Sequence, residues 1–228
     1  MSEAVACVIP AYRAETTLAR VVDGVRSALP DARVIVVDDG SPDATPTVAA
    51  SVADCAVCLP RNRGKGAALR TGFEHALRFP DEVVITLDAD GQHDPSFAPA
   101  LLAALDGCDI AIGQRARAGS SMPLPRRMTN AMACMAIAHV AGIRLSDTQS
   151  GFRAFRRQVI ERVKAFGDRY EFETDLLIRA GQAGFRVGHA DIPTVYGAAS
   201  HFRGVSDTAL IVKTIWAHRK SRVRKVGS

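Results

Sequence analysis

Asp88 and Asp90 stand one residue apart where the apolar run 84–87 ends, and Gly91 and Gln92 follow them. Just past a strand, two such acids can converge on one hard cation. Mg2+ and Mn2+ prefer oxygen ligands and leave positions open for water and phosphate oxygens. An ion held by Asp88 and Asp90, with the Gln92 amide as a further donor or a water-orienting group, would bridge a diphosphate and neutralise it as it departs. A solvated turn in which Asp88 caps the next helix has the same pattern. Asp38 and Asp39 close another apolar run in "IVVDDGS". A carboxylate there can accept from a ribose hydroxyl or a base N–H, or cap a helix starting near Pro42. "RNRGKG", 61–66, sets Arg61, Arg63 and Lys65 among glycines that allow close approach to phosphates. It lacks the P-loop pattern, and an ordinary basic surface loop has a similar composition.

Arg115, Arg117, Arg126 and Arg127 lie between the acid pair and the turn "SGFR", 150–153, which ends on Arg153. The planar guanidinium fork binds phosphate bidentately. A phosphate acceptor is already anionic near neutral pH and needs such cations. A hydroxyl acceptor would instead want a general base, for which Glu173 and Asp175 in "YEFETDLL" are the candidates. At helical spacing Glu171 and Asp175 share a face and Glu173 points elsewhere. Acids that merely favour a helix start give the same pattern. "SHFRGVSD", with His201 and Arg203, could close over a donor diphosphate as a lid, or form a surface turn.

The elements that must position these groups alternate. Strand-like runs cover 4–10, 32–38, 55–60, 82–90 and 108–115, and helical spacing covers 15–29, 42–53, 66–78 and 95–106. Repeated β-then-α units predict a parallel sheet with helices on both faces. Strands buried on both sides read as continuous apolar runs. The polar clusters Pro10–Tyr12, Asp38–Ser41, Asn62–Gly66 and Asp88–Gln92 then sit beyond the strands' carboxyl ends, where ligands of open sheets bind. Further on, 116–126 reads as loop, 127–142 as an apolar helix, 146–155 as a polar turn entering a strand or helix, 170–184 as a helix and 186–197 as a strand. The apolar stretch 131–143 fits either core or an acceptor-lipid surface.

The 228 residues are 47% hydrophobic, carry a formal charge of +5 and have a pI near 9.2, which favours an anionic partner. No aromatic-interleaved basic face points to nucleic acid. The five cysteines are a poor disulfide framework, and Cys55 and Cys58 read as buried strand residues. The N-terminus lacks a signal-peptide pattern, and no run reaches the roughly 18 apolar residues of a span. The expectation is a cytoplasmic chain. Its basic end, with Trp216, Lys220, Arg222, Arg224 and Lys225, either touches anionic headgroups on the inner face of the cell membrane or is a disordered tail.

"VIPAY", "VVDDGS", "NRGKGAAL", "LDADGQHDP" and "SGFRAF" stand in the order and spacing of family 2 glycosyltransferases, and the chain resembles most its dolichol- or polyprenyl-phosphate mannosyl- and glucosyltransferase branch over about residues 4–200. The resemblance implies a single GT-A domain over 1–210, an α/β, Rossmann-like, mostly parallel sheet flanked by helices, with 211–228 as a basic tail. It implies a GDP- or UDP-linked sugar donor, Mn2+ or Mg2+, and inversion at the anomeric carbon. By the same likeness Pro10, Ala11, Tyr12 and Asp39 would hold the nucleoside, and Lys65 would lie near the base or phosphates. Asp88, Ala89, Asp90 and Gln92 would form the metal and sugar-diphosphate site, joined by Arg203. Ser150 and Arg153 match the branch's S-G-F-R turn beside the acceptor pocket, and Arg115, Arg117 and Arg127 of the arginine cluster are the further candidates to face the acceptor. The branch commonly reads Y-N-E after the first strand; here Tyr12, Arg13, Ala14 and Glu15 stand instead, which leaves base preference open. Three other readings have specific obstacles. A haloacid-dehalogenase-type phosphatase would want Thr or Val at Gln92 and its motif at the first strand. A nucleotidyltransferase would consume a nucleoside triphosphate. A non-catalytic sugar-nucleotide binder would not need the full acidic and basic set.

Overall fold

The structure, a computed structural model, describes residues 3–115, 134–143, 145, 150–193 and 204–226. Its seven strands are β1 (Val5–Ala11), β2 (Arg33–Asp38), β3 (Cys55–Cys58), β4 (Val83–Thr86), β5 (Ile110–Arg115), β6 (Arg153–Arg156) and β7 (Val187–Ile192). The helices are α1 (Leu18–Ala28), α2 (Thr45–Val52), α3 (Lys65–Ala76), α4 (Ala98–Ala103), α5 (described over 134–141), α6 (Arg157–Arg162), α7 (Glu171–Gln182) and α8 (Gly204–Val226).

The strand order is β3-β2-β1-β4-β6-β5-β7. All neighbours pair parallel except β6, which runs antiparallel to β4 and β5. The α/β, mostly parallel sheet expected from the alternation is therefore present. Period-two alternation feeds both layers. In β1, Val5, Cys7 and Ile9 enter the core under α1 and α4, whereas Ala6 and Val8 enter the core under α3 and α7. Val34 and Val36 of β2 join the first core, and Ile35 and Val37 the second.

Two local expectations change. Pro42 stands before α2, and Pro46 takes the early helical place, where a missing N–H costs nothing. Asp43 starts this helix, accepting from Thr45 N–H at 3.1 Å and from Thr45 Oγ1 at 2.6 Å. Cys55 is half-buried and Cys58 exposed, because β3 is the edge strand with one face open; all five cysteines are free thiols. Of the basic C-terminal stretch, the residues up to Val226 lie in α8. Ile137, Val140 and Ala141 of α5 pack on Ile178 of α7, so this part of the apolar stretch is core, while Met135 stays exposed. Among the described residues no helix is long and apolar enough to cross a membrane.

Candidate active site

The strand order reverses at β1, with β2 and β3 on one side and β4 on the other, which is where open α/β sheets bind ligands. Past β1, Arg13 takes a φ of 53°, and its N–H donates to Ser41 Oγ at 2.9 Å. Ala14 N–H donates to Thr45 Oγ1 at 2.8 Å, and Ala44 N–H to Glu15 Oε2 at 2.9 Å. These bonds tie the Pro10–Glu15 segment to the loop that follows β2. Asp38 accepts from Ser41 N–H at 3.2 Å and shapes that loop instead of capping α2. Asp39 is buried and accepts from Arg63 N–H at 2.8 Å and Gly64 N–H at 2.7 Å, which fastens the RNRGKG loop at the start of α3. Burial pushes its carboxyl above the usual range in spite of those two bonds.

α3 begins at Lys65 because Gly64 takes a φ of 110°, open to glycine alone at low strain. Lys65 Nζ lies 2.7 Å from Asp88 Oδ1, 3.0 Å from Asp88 Oδ2 and 3.2 Å from Glu173 Oε2. Burial opposes its charge, but Asp88 and Glu173 outweigh burial and hold the ammonium above its ordinary pKa. Burial likewise opposes the charge of Asp88, and Lys65, aided by His93 and Arg153, holds that carboxyl below the usual range. Asp90 goes the other way: burial, then the neighbouring Asp88 charge, push it up, and the Gln92 N–H donated to Oδ1 at 2.9 Å offsets this only in part. Ala89 is buried, and its carbonyl accepts from Thr17 Oγ1 at 2.7 Å, which locks the acid corner onto α1. The next helical turn is capped by Asp94, not Asp88, through Ser96 N–H at 2.9 Å.

The antiparallel β6 brings the SGFR turn to this corner. Thr86 opposite Arg153 is the register, and Thr86 Oγ1 donates to the Gly151 carbonyl at 2.8 Å. Arg153 is fully buried; its Nε donates to the Ser150 carbonyl at 2.8 Å and its NH2 lies 3.5 Å from Glu173 Oε1. Ser150 Oγ accepts from Phe152 N–H at 3.3 Å. Lys65, Asp88, Gly151, Arg153 and Glu173, from four separate stretches, thus form one largely enclosed cluster beside Asp90.

Of the two candidate bases, Glu173 is in that cluster. Asp175 lies in another: it accepts from Phe166 N–H at 2.8 Å and Arg179 Nε at 2.6 Å, and its Oδ1 is 2.6 Å from His218 Nε2 of α8. Asp175 therefore anchors the last helix. Arg115 ends β5, three residues beyond the one paired with Arg153. Arg117, Arg126, Arg127, His201 and Arg203 lie outside the described residues. Two groups given no role by the sequence reading flank the site. His93 is buried with its ring 5.8 Å from that of Phe152. The Tyr170 ring is 5.9 Å from Lys65 Nζ, and burial pushes its hydroxyl pKa up to about 12. The spacing of His93, three residues after Asp90, was the available signal.

The seven-stranded, mostly parallel sheet flanked by helices is the fold of a GT-A glycosyltransferase domain. Glucosyl-3-phosphoglycerate synthase from Mycobacterium tuberculosis, solved with Mn2+, uridine diphosphate and glucosyl-3-phosphoglycerate, shares this fold, with a TM-score of 0.69 at 21% identity over 95% of this chain and 80% of that one. The chain belongs to glycosyl transferase family 2, which matches residues 6–164. It is similar to polyprenol monophosphomannose synthase of Mycolicibacterium smegmatis, 35% identical over 83% of this chain and 76% of that protein. It is also similar to undecaprenyl-phosphate mannosyltransferase of Micrococcus luteus, 30% identical over 92% of both. The likeness to the polyprenyl-phosphate branch is thereby borne out.

Proposed function

We propose that this chain transfers a hexose, with inversion, from a GDP- or UDP-linked sugar to a polyprenyl (dolichyl-type) phosphate. The observation that carries the reading is the convergence of Asp88, Lys65, Arg153 and Glu173 at the turn joining the donor and acceptor motifs. The names of the two mannosyltransferase relatives support the acceptor class.

The acid corner suits a divalent ion. Asp88 and Asp90 supply hard oxygens, and the Asp90 carboxyl, raised by burial and then by the Asp88 charge, is one whose anion a bound cation would stabilise. Among the described residues no group of three or more His, Cys, Asp or Glu gathers to hold a metal. The donor set is therefore Asp88, Asp90 and the Gln92 amide, with the remaining positions left for water and phosphate. When bound, Mn2+ or Mg2+ supplies charge neutralisation to the departing diphosphate. Pro10, Ala11, Tyr12, Glu15 and Asp39 bind the nucleoside side, Lys65 and Arg203 the diphosphate. Arg153, positioned by Glu173 and Ser150, joins Arg115, Arg117 and Arg127 in orienting the acceptor phosphate. That phosphate is an anion near neutral pH, so the transfer needs no protein base, and the anchoring place of Asp175 fits this.

The chain would work in the cytoplasm against the inner face of the cell membrane, with residues 1–210 as the transferase and the last residues as the membrane contact. Supporting this, Val212 and Trp216 of α8 are exposed one helical turn apart. After Asp207 the helix has Lys213, Arg219, Lys220, Arg222, Arg224 and Lys225 and no acid.

The test is a panel of GDP-, UDP- and dTDP-sugars with Mn2+ or Mg2+, each offered a short polyprenyl phosphate or a hydroxyl acceptor. The expected outcome is metal-dependent transfer to the lipid phosphate with inverted product. Turnover with a hydroxyl acceptor alone would reject the acceptor assignment.

A further inference from the structure

Lys65 occupies an unusual place for a phosphate-binding lysine. Its ammonium meets both oxygens of Asp88, at 2.7 and 3.0 Å, and Glu173 Oε2 at 3.2 Å. The contact with Asp88 Oδ2 is a hydrogen bond and the other two are ion pairs, so the ammonium is held between two carboxylates. The pair is also enclosed. A Cβ added at Gly151 would lie 2.3 Å from Asp88 Oδ2 and 2.7 Å from Lys65 Nζ, so the turn closes directly over it. The Lys65 side chain is only 14% exposed. Asp90, two residues along, is not in this pair, and its Oδ1 accepts from Gln92 N–H at 2.9 Å.

We infer that Lys65 is an internal counter-ion that holds Asp88 until the donor diphosphate draws it away, and so makes metal binding depend on donor binding. The inference rests on the metal reading of Asp88 and Asp90 given above. A divalent ion and an ammonium sharing one carboxylate repel each other at short range. In the free protein the lysine therefore weakens the corner for a cation. A nucleoside diphosphate offers phosphate oxygens to the ammonium and its other oxygens to the cation, so both conflicts are relieved in one event. Linkage is reciprocal: if the diphosphate strengthens metal binding, the metal strengthens diphosphate binding by the same factor. An ion would then not settle productively before the sugar nucleotide arrives.

The test measures Mn2+ binding by calorimetry and by the electron-spin signal of free Mn2+, with and without GDP or UDP. The proteins are the wild-type chain, Lys65→Met and Lys65→Arg. The wild-type chain should bind Mn2+ at least about fivefold more tightly with its diphosphate than without, the lower end of typical coupling. Lys65→Met should bind Mn2+ alone about fivefold or more tightly than the wild-type chain, with the coupling reduced toward unity. Lys65→Arg, which keeps the charge, should behave like the wild-type chain. If Lys65→Met does not fold, Lys65→Gln takes its place. Wild-type Mn2+ binding that is unaltered or weakened in Lys65→Met overturns the counter-ion role and leaves the metal reading intact. Absence of Mn2+ binding by all the proteins, with either diphosphate present, overturns the metal reading and the inference together.

Discussion

Gly151→Ala is a small change at the most crowded point of the site. The added methyl would sit 2.3 Å from Asp88 Oδ2, 2.7 Å from Asp88 Cγ and 2.7 Å from Lys65 Nζ, where ordinary contact begins near 3.4 Å. Roughly 1 Å of movement is needed, and the backbone cannot easily supply it, because Thr86 Oγ1 holds the Gly151 carbonyl and β6 is in register beside β4. Asp88 has a short side chain, so it rotates away and its contact with Lys65 opens. Overpacking of this kind costs about 1–3 kcal/mol. In a chain of this size each kcal/mol lowers the melting temperature by about 2–4 °C. Misplacing a reacting group by about 1 Å lowers turnover on the order of 100-fold. The loss in activity should therefore far exceed the loss in stability. Calorimetric melting and a radiolabelled-sugar transfer assay on the same preparation check both. A Gly151→Ala protein with unchanged turnover would show that the acceptor turn and the acid corner do not meet as described.

Asp90 has a carboxyl raised by burial and then by Asp88, so the folded chain binds a proton there more tightly than the unfolded one. Its contribution to stability therefore falls as pH rises from the ordinary carboxyl value, about 3.9, through the raised one. Asp90→Asn should melt higher than the wild-type chain at pH 7 without metal and should lose most of the stabilisation that Mn2+ confers on the wild-type chain; melting curves with and without Mn2+ at pH 4 and 7 read both effects. His218→Ala removes the 2.6 Å partner of buried Asp175 and should destabilise the protein by about 1.5–3 kcal/mol, with KM and kcat little changed below the melting transition. An equal drop in kcat would return Asp175 to the chemistry. Trp216→Ala should weaken sedimentation with vesicles rich in anionic lipid by about tenfold, equivalent to ~1.4 kcal/mol of lost burial, while transfer to a short, soluble polyprenyl phosphate stays constant. Unaltered vesicle binding would remove α8 from the membrane contact.

The strands, their polar ends and the acid corner were legible in the sequence because they are local. Continuous apolar runs such as "VIVV" and "VVIT" report burial on both faces, and an abrupt change to Asp, Gly and Asn marks where the chain leaves the sheet. Other features depended on distant residues. Whether β3 was an edge, and so whether Cys58 was buried, depended on which strand failed to pair with it. The place of Pro42 outside α2 depended on Asp43 and Thr45 forming the start of the helix. Helical spacing separated Glu173 from Asp175, but only the packing of α7 against α3 and α8 decided which turned toward Lys65 and which toward His218.

The sequence alone determined the chemistry at hand: two carboxylates beyond a strand, a lysine in a glycine loop, and an arginine in an SGFR turn, in the order of a known family. The tertiary structure decided that these belong to one place. β6 runs against its neighbours, so its beginning and not its end reaches the edge where β4 finishes, and Arg153 arrives beside Asp88. Strand direction within a sheet is a long-range property, set by how connections close over the core, and no local pattern of residue types encodes it.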